Sequence, residues 1–168
     1  AFVVAVTDTF GNPISGANVR LAMTTSPSGA VGQSPKDTTI QTDGRGEMSM
    51  PITIGTKTGS YVLTATVGSM SRQITINASS GPAVAIAMTT GSGQTALVNT
   101  RLAQPLVVTA SDVYGNAVSG ASVSFEITST PAGASGQSLS ATGVTTGANG
   151  QASCVLTLGD KVGSYTVV

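Results

Sequence analysis

The chain of 168 residues has no histidine, no tryptophan and a single cysteine, and its charges are few: seven basic against seven acidic residues. Each shortage excludes something. Without histidine there is no imidazole to act as general base or metal ligand, and no partner to activate a cysteine nucleophile. One cysteine, Cys154, forms no disulfide within the chain. A formal net charge of zero with 8% charged residues gives neither a basic footprint for nucleic acid nor an acidic tail. Aromatics amount to 4%, so cores must be built from Val, Ile, Leu, Met and Ala. No apolar run is long enough for a membrane-spanning helix, and no charged-then-apolar leader opens the chain. Any signal peptide or anchor is expected outside this segment.

What is present is a repeat. Asp8-Thr9-Phe10-Gly11-Asn12 returns as Asp112-Val113-Tyr114-Gly115-Asn116, and the same offset of 104 residues maps Pro27 to Pro131, Gly46 to Gly150, Gly55 to Gly159 and Tyr61 to Tyr165. No insertion or deletion is needed from Val3/Val107 onward. A period near a hundred residues exceeds that of most solenoids and fits a whole small β-domain. The expected organisation is a first domain over 1–78, a Ser-Ser-Gly-Pro linker over 79–82 and a second domain over 83–168.

Two aligned copies allow the alternation of strands to be checked twice. Phe2, Val4 and Val6 match Leu106, Val108 and Ala110 as inward residues, with Val3, Ala5 and Thr7 outward. Val19, Leu21 and Met23 match Val123, Phe125 and Ile127. Met48, Met50, Ile52 and Ile54 match Ala152, Cys154, Leu156 and Leu158 and predict a third strand. Tyr61, Leu63, Ala65 and Val67 predict a fourth, Ile74 and Ile76 a fifth, and Val84, Ile86 and Met88 the strand that opens the second domain. Nothing sustains a helical period, and Gly and Pro punctuate the chain at the spacing of an all-β sandwich. The stretches 26–36, 130–140 and 90–104 read as loops, either binding loops or solvated caps.

The turns carry their own chemistry. In Phe10-Gly11-Asn12 and Tyr114-Gly115-Asn116, Gly and Asn tolerate a positive φ, while Asp8 and Asp112 are placed to accept backbone N–H bonds. Tyr61 and Tyr165 each follow Gly-Ser at the opening of the penultimate strand, where immunoglobulin-like sandwiches keep a tyrosine corner.

These residues together resemble the bacterial immunoglobulin-like domains of group 1, the repeats of invasin- and intimin-type surface proteins. The resemblance lies in Val6, Asp8, Phe10, Gly11, Asn12, Ile14, Ser15, Gly16, Ala17 and Val19, repeated as Ala110, Asp112, Tyr114, Gly115, Asn116, Val118, Ser119, Gly120, Ala121 and Val123. Thr42, Gly46 and Ser49 recur as Thr146, Gly150 and Ser153. It implies tandem Greek-key sandwiches of about seven strands each, strung as rigid stalks on a bacterial surface, and it lends no catalytic residue. An extracellular, bacterial location also suits domains that dispense with a disulfide.

Sharper readings of single residues meet plainer ones. Cys154 sits opposite Met50 on an inward face and reads as a small core residue. The carboxylates Asp8, Asp37, Asp43, Glu47, Asp112, Glu126 and Asp160 are too dispersed for the paired acids of glycoside hydrolysis or for a calcium loop. Lys57 and Lys161 recur just before the tyrosine corner, where a Lys–Asn isopeptide crosslink is conceivable chemistry; in Gly-flanked loops, solvated charge is the plainer reading. No catalytic residue, cofactor or metal is expected.

Residue 1 falls in a strand equivalent to the one at Leu106, and Val168 is equivalent to Thr64. The first domain is therefore expected to lack its leading strand and the second its final one. Either the segment is an excerpt from a longer array, or a neighbouring copy donates a strand. The expected function is that of a rigid, non-catalytic spacer or stalk in a bacterial surface protein or filament. The alternative is an adhesive module that binds a host protein, a glycan or another copy of itself, through loops or strand donation. Expected partners are neighbouring repeats of the same chain and homotypic contacts between chains; nucleic acid and a membrane span within the segment are not among them.

Overall fold

The computed structural model describes all 168 residues, and they form two compact units, Ala1–Ser79 and Ser80–Val168. Every element is a β-strand and every pairing between strands is antiparallel. No helix is long and apolar enough to cross a membrane.

Unit 1 contains β1 (Phe2–Ala5), β2 (Asn18–Thr25), β3 (Asp37–Gln41), β4 (Glu47–Met50), β5 (Gly59–Val67) and β6 (Met70–Ala78). They make a pair, β1-β4, and a four-stranded sheet in the order β3-β2-β5-β6. The alternation read from the sequence decides which side chains turn inward. Val6, Val19, Leu21, Met48, Leu63 and Ala65 form the buried cluster, and Val19, Leu21 and Leu63 have no exposure at all. Burying an aliphatic side chain of this size stabilises by about 1.5–3 kcal/mol, so this small cluster dominates the unit.

Unit 2 repeats the arrangement in shorter pieces: β7 (Ala85–Thr90), β8 (Leu106–Ser111), β9 (Ser122–Ser124), β10 (Ile127–Ser129), β11 (Ser138–Leu139), β12 (Gly143–Thr145), β13 (Gln151–Cys154), β14 (Leu156–Thr157) and β15 (Thr166–Val167). Its sheets run β13-β8-β7, β12-β9, β10-β15 and β11-β14. The registers coincide under the 104-residue offset: Phe2 faces Met50 as Leu106 faces Cys154, and Val19 faces Ile40 as Val123 faces Val144. Even the bulge between Met23 and Thr25, opposite Leu63 and Val62, returns between Ile127 and Ser129, opposite Val167 and Thr166. Leu102, Leu106, Val123, Phe125, Ala152, Cys154 and Leu156 form the core.

Three expectations need correction. The third strand does not run through Ile54: β4 ends at Met50, before Pro51, which has no N–H to give a ladder. In unit 2 the same strand changes partner, β13 pairing with β8 and β14 with β11, and the N–H of Val155 between them goes to Ser140 Oγ. Second, 37–41, 138–139 and 143–145, β3, β11 and β12, are strands that the patterning did not distinguish. Third, the strand that opens unit 2 starts at Ala85 and not at Val84; its Ile86 and Met88 lie opposite Ala110 and Val108, on the core-facing side of β8, and are 59% and 53% exposed.

Candidate functional site

The residues that recur most strictly sit at the ends of strands, and the backbone explains why. In unit 1, Asp8 Oδ1 accepts the N–H groups of Phe10 (2.8 Å) and Asn12 (2.9 Å), and Oδ2 accepts the Asn12 side-chain amide (2.9 Å). Gly11 stands at φ +85°, inside the turn that these bonds close. Asp112 repeats the pattern with Tyr114 and Asn116, each at 2.9 Å, beside Gly115 at φ +73°. One difference separates the two: Asp112 Oδ2 also accepts the N–H of Gly81 at 3.1 Å, and Asp112 is buried where Asp8 is exposed. The Asn116 amide, helped by the N–H groups of Asn116, Gly81 and Tyr114, holds the Asp112 carboxyl down at about 2 against the cost of its burial. Asp8 is lowered as well, chiefly by the side chain of Asn12.

A second device, whose role the sequence did not disclose, stands behind each turn. Thr42 is buried, and its Oγ1 accepts the N–H of Ala17 (2.9 Å) and donates to the carbonyl of Ile14 (2.6 Å). Thr146 does the same with Ala121 and Val118. Next to these pins lie Gly46 and Gly150, both at φ +72°, so close to the backbone that a methyl on Gly46 would stand 2.7 Å from the Val6 carbonyl oxygen.

At the other end, Tyr61 Oη donates to the Lys57 carbonyl (2.7 Å) and Tyr165 Oη to that of Lys161 (2.8 Å). Tyr61 is fully buried; Tyr165 is half-buried. The ammonium group of Lys161 is exposed and lies 3.9 Å from Asp160, and Lys57 is half-buried beside Gly29. An isopeptide bond needs a buried lysine, which Lys161 is not.

Cys154 and three more of the acids have structural places. Cys154 is 2% exposed, and burial pushes its thiol up, away from the nucleophilic thiolate. Asp37 binds Arg20 in an exposed ion pair, Asp43 accepts the N–H groups of Arg45 and Glu47, and Asp160 accepts the N–H of Ser135. No three acidic or cysteine side chains gather into a set that could hold a metal.

Two kinds of surface are left. The tips of the Asp turns present aromatic rings to solvent, Phe10 at 90% and Tyr114 at 57% exposure. The other is an open groove of about 790 Å³ in unit 2, floored by Met88, Leu102, Leu106 and Leu156 and edged by Tyr165 and Val167. Its rim includes the stretch after β7. Gln94 clamps that stretch, its side chain bonding Gly91 O, Gln104 O and Gln104 N at 2.8–3.0 Å.

No family model and no curated protein matches the chain. Among solved structures it is similar to invasin, described as a bacterial integrin-binding protein, at 23% identity and a TM-score of 0.42 over 98% of this chain. It is also similar to the D0-D1 domain of intimin, at 19% identity and a TM-score of 0.37, with 98% of this chain and 78% of that one covered. The chain spans 31% of the length of the invasin chain, so the function of this segment has to be argued from its own residues.

Proposed function

We propose that the chain is a non-catalytic, extracellular structural module, a tandem of immunoglobulin-like sandwiches that spaces or stiffens a bacterial surface protein or filament. One observation carries this reading: four pairs of residues that recur between the units, Asp8/Asp112, Thr42/Thr146, Gly46/Gly150 and Tyr61/Tyr165, are engaged in fixing backbone. The bacterial-surface assignment is supported by the motif resemblance and by a fold that does without disulfides.

Small-angle scattering from concatenated chains of two, four and eight repeats tests the spacer. A stiff array lengthens in proportion to repeat number, whereas freely jointed units grow roughly as its square root. Square-root growth would end the reading.

The adhesive alternative is favoured by Phe10 and Tyr114, since solvent-facing aromatics are frequent anchors of protein interfaces. Chain-coated beads that adhere to host cells, and lose adhesion with Phe10→Ala and Tyr114→Ala, would support it. Adhesion unaffected by both substitutions would remove it.

A further inference from the structure

The connection between the units is shorter in the fold than in the sequence. In unit 1, β6 ends at Ala78, which lies opposite Gly59. The ladder of unit 2 begins where Val84 gives its N–H to the Ser111 carbonyl at 2.9 Å. Between these anchors lie the five residues Ser79, Ser80, Gly81, Pro82 and Ala83. A wholly flexible stretch of five residues has an r.m.s. span of about 12 Å.

That stretch is pinned in its middle. The N–H of Gly81 donates to Asp112 Oδ2 at 3.1 Å, across 31 positions of sequence. Ser79 and Ser80 alone then separate β6 from a fixed point of unit 2. Two flexible residues span only about 8 Å. Pro82 stiffens the far side, because its ring fixes its own φ and turns the residue before it away from helical backbone. Glycine at 81, otherwise the most mobile of residues, is thus restrained from both directions.

The acceptor cannot follow the linker if it moves. Asp112 is 5% exposed, and its Oδ1 accepts the N–H groups of Tyr114 and Asn116. Its Oδ2 accepts the Asn116 side-chain amide as well as Gly81. Bonds to an ionised acceptor are roughly twice as strong as neutral ones. Closing the turn takes only the bonds to residues 114 and 116, the set that Asp8 makes with Phe10 and Asn12 in unit 1. The bond to Gly81 is made in addition, and it acts on the linker.

We propose that Asp112 is a strap that governs how freely the two units move against each other. By holding Gly81 to the turn it cuts the flexible connection from five residues to two, and releasing it returns the difference. The inference rests on the spacer reading and names the group that supplies the stiffness. The two fail separately: square-root growth in scattering ends the spacer, whereas the strap is tested within one chain.

The test measures residual dipolar couplings of backbone amides in the full 168-residue chain and fits the degree of order of each unit by itself. Two variants remove the bond by different routes. Asp112→Asn takes away the accepting oxygen, and an ester in place of the Ser80–Gly81 amide takes away the donor while leaving every side chain intact. Asp8→Asn is the control for disturbing such a turn without touching the linker. The expected ratio of order between the units is near one in the parent chain and in Asp8→Asn, and departs from one by roughly twofold in both strap variants. A parent ratio far from one, an unchanged ratio in either strap variant, or an equal departure in Asp8→Asn would overturn the proposal.

Discussion

The carboxylate of Asp112 accepts the side-chain amide of Asn116 at 2.9 Å and, on the same oxygen, the N–H of Gly81 from 31 residues upstream. One acid thus ties the first residues of unit 2 to a turn between two of its strands.

That bond sets an acid limit. The folded carboxyl titrates at about 2, below the value of about 3.9 for an unfolded aspartate. A depressed folded pKa gives stability that is complete above the unfolded value and lost as pH falls through the folded one. Unit 2 should therefore weaken between about pH 4 and pH 2. Asn116→Ala removes the largest cause of the depression, so NMR titration should find Asp112 nearer the usual range and acid unfolding should begin at higher pH. An unchanged Asp112 titration in that variant would contradict the assignment.

Thr42→Val tests the pin in unit 1. The isostere keeps the volume and strips partners from the Ala17 N–H and the Ile14 carbonyl, a loss of about 2 kcal/mol. Thr42→Ser keeps the hydroxyl and loses one methyl, worth about 0.8 kcal/mol. Hydrogen exchange of the segments around Leu21 and Leu63, read in urea, should rank valine as the worse substitution.

Two glycines with similar φ should behave differently. At Gly11 an added Cβ meets nothing within 4 Å, so Gly11→Ala costs only the strain of a left-handed backbone, about 1–2 kcal/mol. At Gly46 the same methyl would meet Val6 O at 2.7 Å and Ile14 N at 2.9 Å, which are backbone atoms of the turn itself. Gly46→Ala should cost more than about 3 kcal/mol. Equal unfolding midpoints for the two variants would refute the distinction.

Cys154 should be silent in the native protein. A disulfide reagent at neutral pH should label it only as fast as unit 2 opens, and at the rate of a free thiol in denaturant. Native labelling at the free-thiol rate would show that the residue is not core.

How far the sequence reached depends on what each feature needs. Inward faces such as Val19/Leu21 and Val123/Phe125 were legible because alternation belongs to one strand and was written twice. The Asp turns were legible because Gly and Asn have a local backbone reason to be there. β3 was not, because Asp37–Gln41 carries one aliphatic residue, Ile40, and its place in the sheet comes from pairing with β2. The Thr42 pin and the Gly81–Asp112 bond join residues 25 or more positions apart, a relation that no window of neighbouring residues contains. The exposure of Ile86 and Met88 was hidden for a different reason: a strand's pattern says which way a side chain points, and packing depends on what stands across from it.

The ion pairs have a consequence of their own. Arg20–Asp37 and Lys161–Asp160 both lie on exposed surface. At 0.15 M salt, charges in water are screened over about 8 Å, and such surface pairs lend little to begin with. A protein held together by aliphatic contacts, and by carboxylates bonded to adjacent N–H groups instead of to distant charges, has little for dissolved ions to weaken. Its shape should pass unchanged from fresh water to brine.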